Sequence, residues 1–382
     1  MQIRLRTKDA NLTALRVLIA GGGTGGHIIP ALAVAHELKA RYGAEVLFLG
    51  TERGLETRLV PAAGFRLQVI EVGPLKNVSI RTRIKTLLSL PRSFRDCKKI
   101  IREFNPSVVL GVGGFASGPG VGAALQLKVP AMTFEPNAYP GLANRLVGKR
   151  VQASAINFPA AAKWFSNPEV TGIPVRPEFF AIRPLVDAPL HLLVFGGSQG
   201  ARILNTLVPA LIKELLDAVP GLTVTHQSGS RNLDSTLAAY LESGADPTHW
   251  RVQPFIEDMP AAFAHAHLVL SRSGASTVAE LAAAGKPSLL IPFAAAADEH
   301  QRRNAEAMVE AGAAIMLQEK ELDNLSNDPR GKPRKLLTTL IDLLSHPDKL
   351  AAMGAAARKQ AHPDAAERIA ARVAQLGTDP SL

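Results

Sequence analysis

Two stretches of this chain share one grammar, and together they constrain the fold more than anything else in it. Val17-Leu18-Ile19-Ala20 is an unbroken apolar run. It leads at once into Gly21-Gly22-Gly23-Thr24-Gly25-Gly26-His27, then into the helical pattern Ile28–Leu38, with Pro30 reading as part of the first turn. Leu190-His191-Leu192-Leu193-Val194-Phe195 leads in the same way into Gly196-Gly197-Ser198-Gln199-Gly200-Ala201 and the helical Ile203–Leu216. Short apolar runs of this kind fit strands buried on both faces. Glycines at the turn let backbone approach a bound group, and the free N–H groups of the helix start favour negative charge. Two such units in one chain predict two Rossmann-like α/β domains facing each other, each with a phosphate-type loop.

The rest of the pattern agrees. Val46–Gly50, Leu67–Ile70, Ser107–Leu110 and Ala131–Phe134 read as strands in the first half. Leu222–Gln227, Trp250–Pro254, Leu268–Ser271, Ser288–Pro292 and Ala314–Leu317 do so in the second, with helical stretches between them. Alternation of this kind predicts parallel sheets covered on both faces. Gly172-Ile173-Pro174-Val175-Arg176-Pro177 reads as a hinge, giving domains 1–174 and 175–362. Residues 324–335 read as a loop, followed by helices at 336–344 and 349–360. A last amphipathic helix from Ala365 to Leu376, in the terminal segment 363–382, can return to the first domain.

Composition excludes several classes. A length of 382 residues, 47% apolar, is ample for two cores and too apolar for disorder. The one cysteine, Cys97, rules out an internal disulfide and any cysteine metal cluster. The polar N-terminus has no signal-peptide core. The uncharged window Val108–Leu127 has membrane-span length, yet its six glycines and Pro119 read as strand, loop and helix. Of the net charge of +10, the segment 74–102 carries +8, from Lys76, Arg81, Arg83, Lys85, Arg92, Arg95, Lys98, Lys99 and Arg102 against Asp96. Leu75, Ile80, Ile84, Leu87, Leu88, Leu90 and Phe94 are interleaved, which suits an anionic membrane surface. A solvated basic helix with an apolar core side is the plainer alternative. Nucleic-acid binding is disfavoured, because no zinc-finger or RNA motif accompanies the charge.

Three features argue against a nicotinamide enzyme. The first loop lacks a clean Gly-x-Gly-x-x-Gly. The second strand's end at Phe48–Thr51 supplies no acid, although Glu52 is close. A second phosphate-type loop also stands where a dehydrogenase keeps its substrate domain. The segment Ser271–Leu281 (SRSGASTVAEL) is more telling. Its small and hydroxyl residues stand at a helix start, so backbone donors with Ser276 and Thr277 can hold a diphosphate. Glu280, two turns in, can accept from ribose hydroxyls. An N-capped helix with a solvated Glu is the alternative. Asp298, His300 and Gln301, after the strand ending at Pro292, suit a polyhydroxyl ligand.

In order, GGGTGGH (21–27), GVGGFASGPG (111–120), EPNAYPGLANR (135–145), GIPVR (172–176), GGSQGARILN (196–205), FIEDM (255–259), SRSGASTVAEL (271–281) and DEHQRRNA (298–305) resemble the MurG family. These are the bacterial N-acetylglucosaminyltransferases that convert lipid I to lipid II, and the likeness spans about Leu15 to Arg372. It implies the GT-B glycosyltransferase architecture with the site in the cleft, and a donor, UDP-GlcNAc, held mostly by the second domain. It places Arg176 and the backbone of Ile256 near the uracil and Glu280 on the ribose. Ser198, Ala275, Ser276 and Thr277 fall on the diphosphate, and Gln301, Asn137, Thr24, Gly25 and Gly26 at the sugar and reaction centre. Gly22, Gly23, Gly114, Phe115 and Asn144 would meet the acceptor, and Arg145, in the same turn as Asn144, is grouped with them. Two positions depart from some relatives: Pro136 stands for a Gln, and His300 for the first of a Gln pair.

The reaction implied is inverting transfer to the 4-hydroxyl of the lipid-linked MurNAc. It needs a base and stabilisation of the departing diphosphate. His27 is the candidate base, with a loop or phosphate-binding role as its alternative; Glu135 is the second candidate. With no Asp-x-Asp pair in the chain, neither metal nor cofactor is expected. The partners implied are UDP-GlcNAc, lipid I, an anionic membrane surface through 74–102 and proteins of cell-wall synthesis. The location implied is peripheral, on the cytoplasmic face of the plasma membrane. Another membrane-associated UDP-sugar glycosyltransferase, a UDP-GlcNAc 2-epimerase and a non-catalytic nucleotide-sugar binder are the rival readings.

Overall fold

The computed structural model describes residues 14–52, 54–73, 79–185, 189–322 and 334–379. The first half builds a seven-stranded sheet from β1 (Arg16–Gly21), β2 (Glu45–Thr51), β3 (Arg66–Ile70), β4 (Val108–Gly113), β5 (Ala131–Glu135), β6 (Ala153–Ile156) and β7 (Pro168–Val170). The second builds a six-stranded sheet from β8 (His191–Phe195), β9 (Thr223–Gln227), β10 (Trp250–Gln253), β11 (Leu268–Ser271), β12 (Ser288–Leu290) and β13 (Ala314–Met316). The orders are β3-β2-β1-β4-β5-β6-β7 and β10-β9-β8-β11-β12-β13, and every pairing is parallel.

Both orders reverse direction beside their first strand, between β1 and β4 and between β8 and β11. The loops leaving such neighbouring strands diverge to opposite faces and open a crevice at the strands' carboxyl ends. The crevice of the first sheet is therefore flanked by the loops after Gly21 and Gly113. That of the second is flanked by the loops after Phe195 and Ser271.

Period-two alternation divides each central strand between two cores. Val17 and Ile19 join the core with Val34, Leu38 and Phe48, whereas Leu18 and Ala20 join the opposite one with Cys97, Ile101 and Val121. In the second sheet Leu192 and Val194 face Leu207, Leu211 and Leu340, while Leu193 and Phe195 face Phe179, Phe263 and Leu281. The helix Ala365–Thr378 crosses back to the first sheet, burying Ile369, Val373 and Leu376 in its core. Arg41 grips Glu367 with two bonds of 2.5 and 2.9 Å, and Arg368 bonds Glu169 at 2.7 Å. The two chain crossings touch: Gly172, at φ 77°, packs so tightly that a Cβ there would lie 2.3 Å from His362 Cβ.

Several expectations need correction. The helix expected from Ile28 runs over Gly25–Tyr42, so Pro30 lies beyond its first turn. Strands β6 and β7 were not anticipated: one is Ala-Ser-Ala-Ile, and the other is an edge strand that starts with Pro168. Arg334 and Lys335 begin the helix Arg334–Leu344 rather than end a loop; residues 324–333 of that expected loop lie outside the described residues. The window Val108–Leu127 forms β4 and the helix Ser117–Gln126, and no helix among the described residues is long and apolar enough to cross a membrane.

In the basic segment, residues 74–78 and the side chains of 80–85 and 87 lie outside the described residues. The backbone from Ile80 to Phe104 is one helix. Its inner side buries Cys97, Ile101 and Phe104, while Arg92, Arg95, Lys99 and Arg102 are exposed and Leu88 is 77% exposed.

Candidate active site in the cleft

The two glycine loops of the first half lie backbone to backbone. Gly22 N–H donates to the Gly113 carbonyl at 3.2 Å, and a Cβ on Gly114 (φ 80°) would fall 2.1 Å from the Gly22 carbonyl oxygen. Only glycine permits that approach. His27 stands on the same floor: a Cβ at Gly113 would lie 2.9 Å from its Nε2. His27 Nδ1 bonds the Thr24 hydroxyl at 3.0 Å, leaving Nε2 as the other ring nitrogen. Burial, and then the neighbouring His300, push the imidazole down to about 4 against the pull of Glu56. His27 is thus neutral at pH 7 and able to accept a proton.

The loop's first two N–H groups are not offered to a ligand. That of Gly22 is held by Gly113, and that of Gly23 donates to Glu56 Oε2 at 2.7 Å. The N–H groups of Thr24, Gly25 and Gly26 stand at the helix start, where backbone donors have no partner one turn back.

A cavity of about 1180 Å³ opens from this floor. Gly22, Gly23, Thr24, His27, Gly114, Phe115, Glu135 and Asn137 line it, with Asp298 and His300 from the second half. Its far wall is apolar, formed by Leu90, Phe94, Leu125, Val129 and Leu146. Phe115 is 47% exposed at the rim.

Glu135 is 2% exposed and accepts four bonds: Asn137 N (2.9 Å), Asn137 Nδ2 (3.1 Å), Gly141 N (3.1 Å) and Asn144 Nδ2 (3.0 Å). Burial raises its proton affinity, and the four donors oppose that rise. Its lone pairs are spent holding the loop 135–141. Asn144, expected at the acceptor, lines the cavity, is 1% exposed and bonds the Phe134 carbonyl at 2.9 Å as well as Glu135.

The second half supplies the facing wall. The helix Ala275–Ala284 starts with Ala275, Ser276 and Thr277 and ends on Gly285 in the left-handed conformation. Ser276 Oγ is buried with no protein partner, 3.7 Å from where a Cβ of Gly26 would stand. A buried hydroxyl without a partner is costly unless a ligand satisfies it. Ser198 is exposed in the loop after β8. Glu280 is pushed up to about 7 by burial, against the pull of Arg176. Arg176 lies exposed over the Phe179 ring, 5.2 Å from its centroid. Ile256 is buried, and its N–H is already taken by Gln227 Oε1 at 2.7 Å, which leaves its carbonyl for a ligand. Gln301 Oε1 accepts from Phe293 N at 3.0 Å, so its amide nitrogen is the end left for a ligand.

Three organising residues went unread in the sequence. Glu56 binds the first loop. Gln227 ties the Gly197 carbonyl (2.8 Å) to Ile256, joining the loop after β8 to the segment after β10. Asn304 spans the cleft, accepting from Ala138 N at 2.9 Å and donating to Asn137 Oδ1 and the Ser273 carbonyl, each at 3.2 Å. Arg145 joins it there, bonding Asp298 at 3.2 Å. Asn304 lies inside the motif 298–305 and Gln227 ends the expected strand Leu222–Gln227, so position was available as a signal. For Glu56 the signal was an acid just past the second strand's end, four residues beyond Glu52.

Known proteins share this sequence pattern and fold. The glycosyltransferase family 28 N-terminal domain matches residues 17–156, and the family 28 C-terminal domain matches residues 191–369. The UDP-N-acetylglucosamine–N-acetylmuramyl-(pentapeptide) pyrophosphoryl-undecaprenol N-acetylglucosamine transferase of Solibacter usitatus is 44% identical over 94% of this chain and 95% of its own. The protein of that name from Anaeromyxobacter sp. strain Fw109-5 is 43% identical over 95% and 93%. The crystal structure of Acinetobacter baumannii MurG superposes with a TM-score of 0.79 at 28% identity, covering 94% of this chain and 99% of that one. Matched in both halves and along nearly its whole length, the chain belongs to glycosyltransferase family 28 and, within it, to the MurG family of N-acetylglucosaminyltransferases.

Proposed function

We propose that this enzyme moves GlcNAc from UDP-GlcNAc to the 4-hydroxyl of the MurNAc of lipid I, giving lipid II and UDP in peptidoglycan synthesis. The observation that carries the reading is the convergence across the cleft. The unpartnered Ser276 hydroxyl, at a helix start suited to a diphosphate, faces the Gly26–His27 turn and its neutral imidazole. The relatives' shared name supplies the substrates; an epimerase has no use for an acceptor-sized cavity such as the one that opens beside His27.

In this reading residues 1–174 with 363–382 form the acceptor domain, and 175–362 form the donor domain. Arg176 and the Ile256 carbonyl meet the uracil region. Glu280 accepts from the ribose hydroxyls. Ser198, Ser276 and Thr277, with the backbone from Ala275, meet the diphosphate. The Gln301 amide, Asn137 and Thr24–Gly26 frame the sugar.

His27 Nε2 takes the proton of the acceptor hydroxyl as its oxygen bonds the anomeric carbon. The bond from that carbon to the β-phosphate oxygen breaks, its electron pair leaves with UDP, and the anomeric configuration inverts. For Nε2 to act, Nδ1 must carry the hydrogen and donate to Thr24 Oγ1. Glu135, saturated by four donors, serves as the scaffold of its loop, and His27 is the base. Helix-start N–H groups and hydroxyls meet the leaving charge, so the reaction runs without a metal.

Gly114 and Phe115 border the acceptor side. In this reading the same face meets anionic lipid at the cytoplasmic side of the membrane, where partners in cell-wall synthesis would also meet it; the exposed Arg92, Arg95, Lys99 and Leu88 support it.

The test is transfer of labelled GlcNAc from UDP-GlcNAc to a short-chain lipid I analogue in EDTA. Stoichiometric UDP and labelled product are expected; binding of UDP-GlcNAc without transfer would overturn the assignment. For the membrane face, Arg92→Glu/Arg95→Glu/Lys99→Glu should lose most sedimentation with anionic vesicles while transfer to the soluble analogue persists. Unchanged sedimentation would refute that face.

A further inference from the structure

Glu56 begins the helix Glu56–Ala62, is 0% exposed and has none of the exposure expected of a carboxyl group this close to a loop. Its Oε1 accepts from Thr51 N and from the Thr51 hydroxyl, each at 2.9 Å, and its Oε2 accepts from Gly23 N at 2.7 Å. Three glycines make room for it. A Cβ on Gly22, Gly50 or Gly54 would stand 2.5, 2.6 or 1.9 Å from its side-chain atoms. A carboxyl group sealed in this way is costly without a full set of donors. Here two of its three donors belong to the end of β2, and the third belongs to the loop that carries His27.

The link to His27 is short. Gly23 precedes Thr24, whose hydroxyl bonds His27 Nδ1 and whose carbonyl accepts from His27 N–H at 3.2 Å. The Gly23 carbonyl also accepts from Leu55 N–H at 3.4 Å, so the Leu55–Glu56 corner grips Gly23 at both its N–H and its carbonyl. In a dinucleotide-binding fold, the acid after the second strand reaches a ligand ribose. In this chain the buried acid after β2 faces protein backbone instead.

We propose that Glu56 is a positioning residue for the transfer reaction: by clamping Gly23 to the end of β2 it sets the Thr24–His27 turn, and with it the His27 ring, at the angle the acceptor hydroxyl requires. Its charge adds a second effect, favouring the proton that His27 gains. This rests on His27 being the base.

A double-mutant cycle tests it. In Glu56→Gln, the oxygen bonded to Thr51 is retained, and an amide nitrogen faces the Gly23 N–H, donor against donor. Activity is expressed per UDP-GlcNAc-binding site, counted by calorimetry, so unfolded protein does not enter. Glu56→Gln is expected to lower kcat about tenfold in the parent enzyme, but less than about threefold in a His27→Ala background, because the residue acts through His27. His27→Ala alone should lose about 10²–10⁴-fold. Additive losses, or an unchanged kcat in Glu56→Gln, would overturn the positioning role even if His27 is essential. An active His27→Ala would instead overturn the base assignment, and the proposal with it. Should Glu56→Gln bind no donor, Thr51→Val, which removes only the hydroxyl donor, is read on the same cycle with the same criterion.

Discussion

The donor site should carry its own pH signature. Glu280 is pushed up to about 7 by burial, with Arg176 opposing. Ribose hydroxyls donate hydrogens, so the donor is bound by the ionised carboxylate and not by the acid. A site half-protonated at pH 7 must then release about half a proton on binding there. If only the ionised form binds, the population of competent enzyme sets the apparent affinity. For a pKa near 7 that population is roughly one in eleven at pH 6 and ten in eleven at pH 8, so the Kd should tighten about tenfold between them. The ligand must be UDP-GlcNAc rather than UDP, because the sugar blocks the terminal phosphate and removes its titration. Calorimetry in buffers of different ionisation enthalpy reads both the affinity and the proton count. Glu280→Gln should bind more weakly at pH 8 and lose the pH dependence. Arg176→Ala removes the cation that holds Glu280 down, so its affinity transition should move to higher pH. A Kd flat from pH 6 to 8, or one that tightens as pH falls, would refute Glu280 as the ribose acceptor.

Two other outcomes follow from buried polar groups. Asn304→Ala strips Ala138 N and the Ser273 carbonyl of a partner across the cleft. It should cost about 1–3 kcal/mol in thermal unfolding and lower kcat more than it weakens UDP-GlcNAc binding; an unchanged kcat would show that the cross-cleft bonds are incidental. His226, bonded to Tyr240 Oη at 3.0 Å and Asn205 Oδ1 at 3.1 Å, is pushed down to about 3 by burial. In the unfolded chain it titrates near 6.5, so the folded state keeps this stability above that pH and loses it as pH falls toward 3, about 2–3 kcal/mol by pH 4.5. Denaturant unfolding of the parent and of His226→Gln from pH 7 to 4.5 checks this: a parent slope no steeper than the variant's would contradict it.

The sequence was legible where structure follows from neighbours along the chain. Val17–Ala20 and Leu192–Phe195 announced central strands because strands covered on both faces leave no polar position. It failed where the deciding partner is remote. β6 is Ala-Ser-Ala-Ile, and nothing in those residues distinguishes a strand from a loop until β5 and β7 lie beside them. Glu56 is 33 residues from Gly23, Gln227 is 30 from Gly197, and Asn304 is 166 from Ala138. The glycines at 22 and 23 were read as making room for a ligand; Gly22 makes room for Glu56, and both N–H groups are already committed.

The way the halves meet bears on how the site works. Ala275 and, in part, Ala279 from the second half join the first core, but the contacts beside the reaction centre are polar: Arg145 with Asp298, and Asn304 with Asn137 and Ala138. Polar contacts can be exchanged for water at small net cost, whereas an apolar interface cannot. The two crossings, at Gly172 and His362, pack directly against each other. Asn304 bonds the Ser273 carbonyl at the entrance to the diphosphate turn and also holds Asn137, which in turn bonds Glu135. Asn304 therefore ties the entrance of the diphosphate turn directly to the 135–141 loop, which Glu135 holds from the other side.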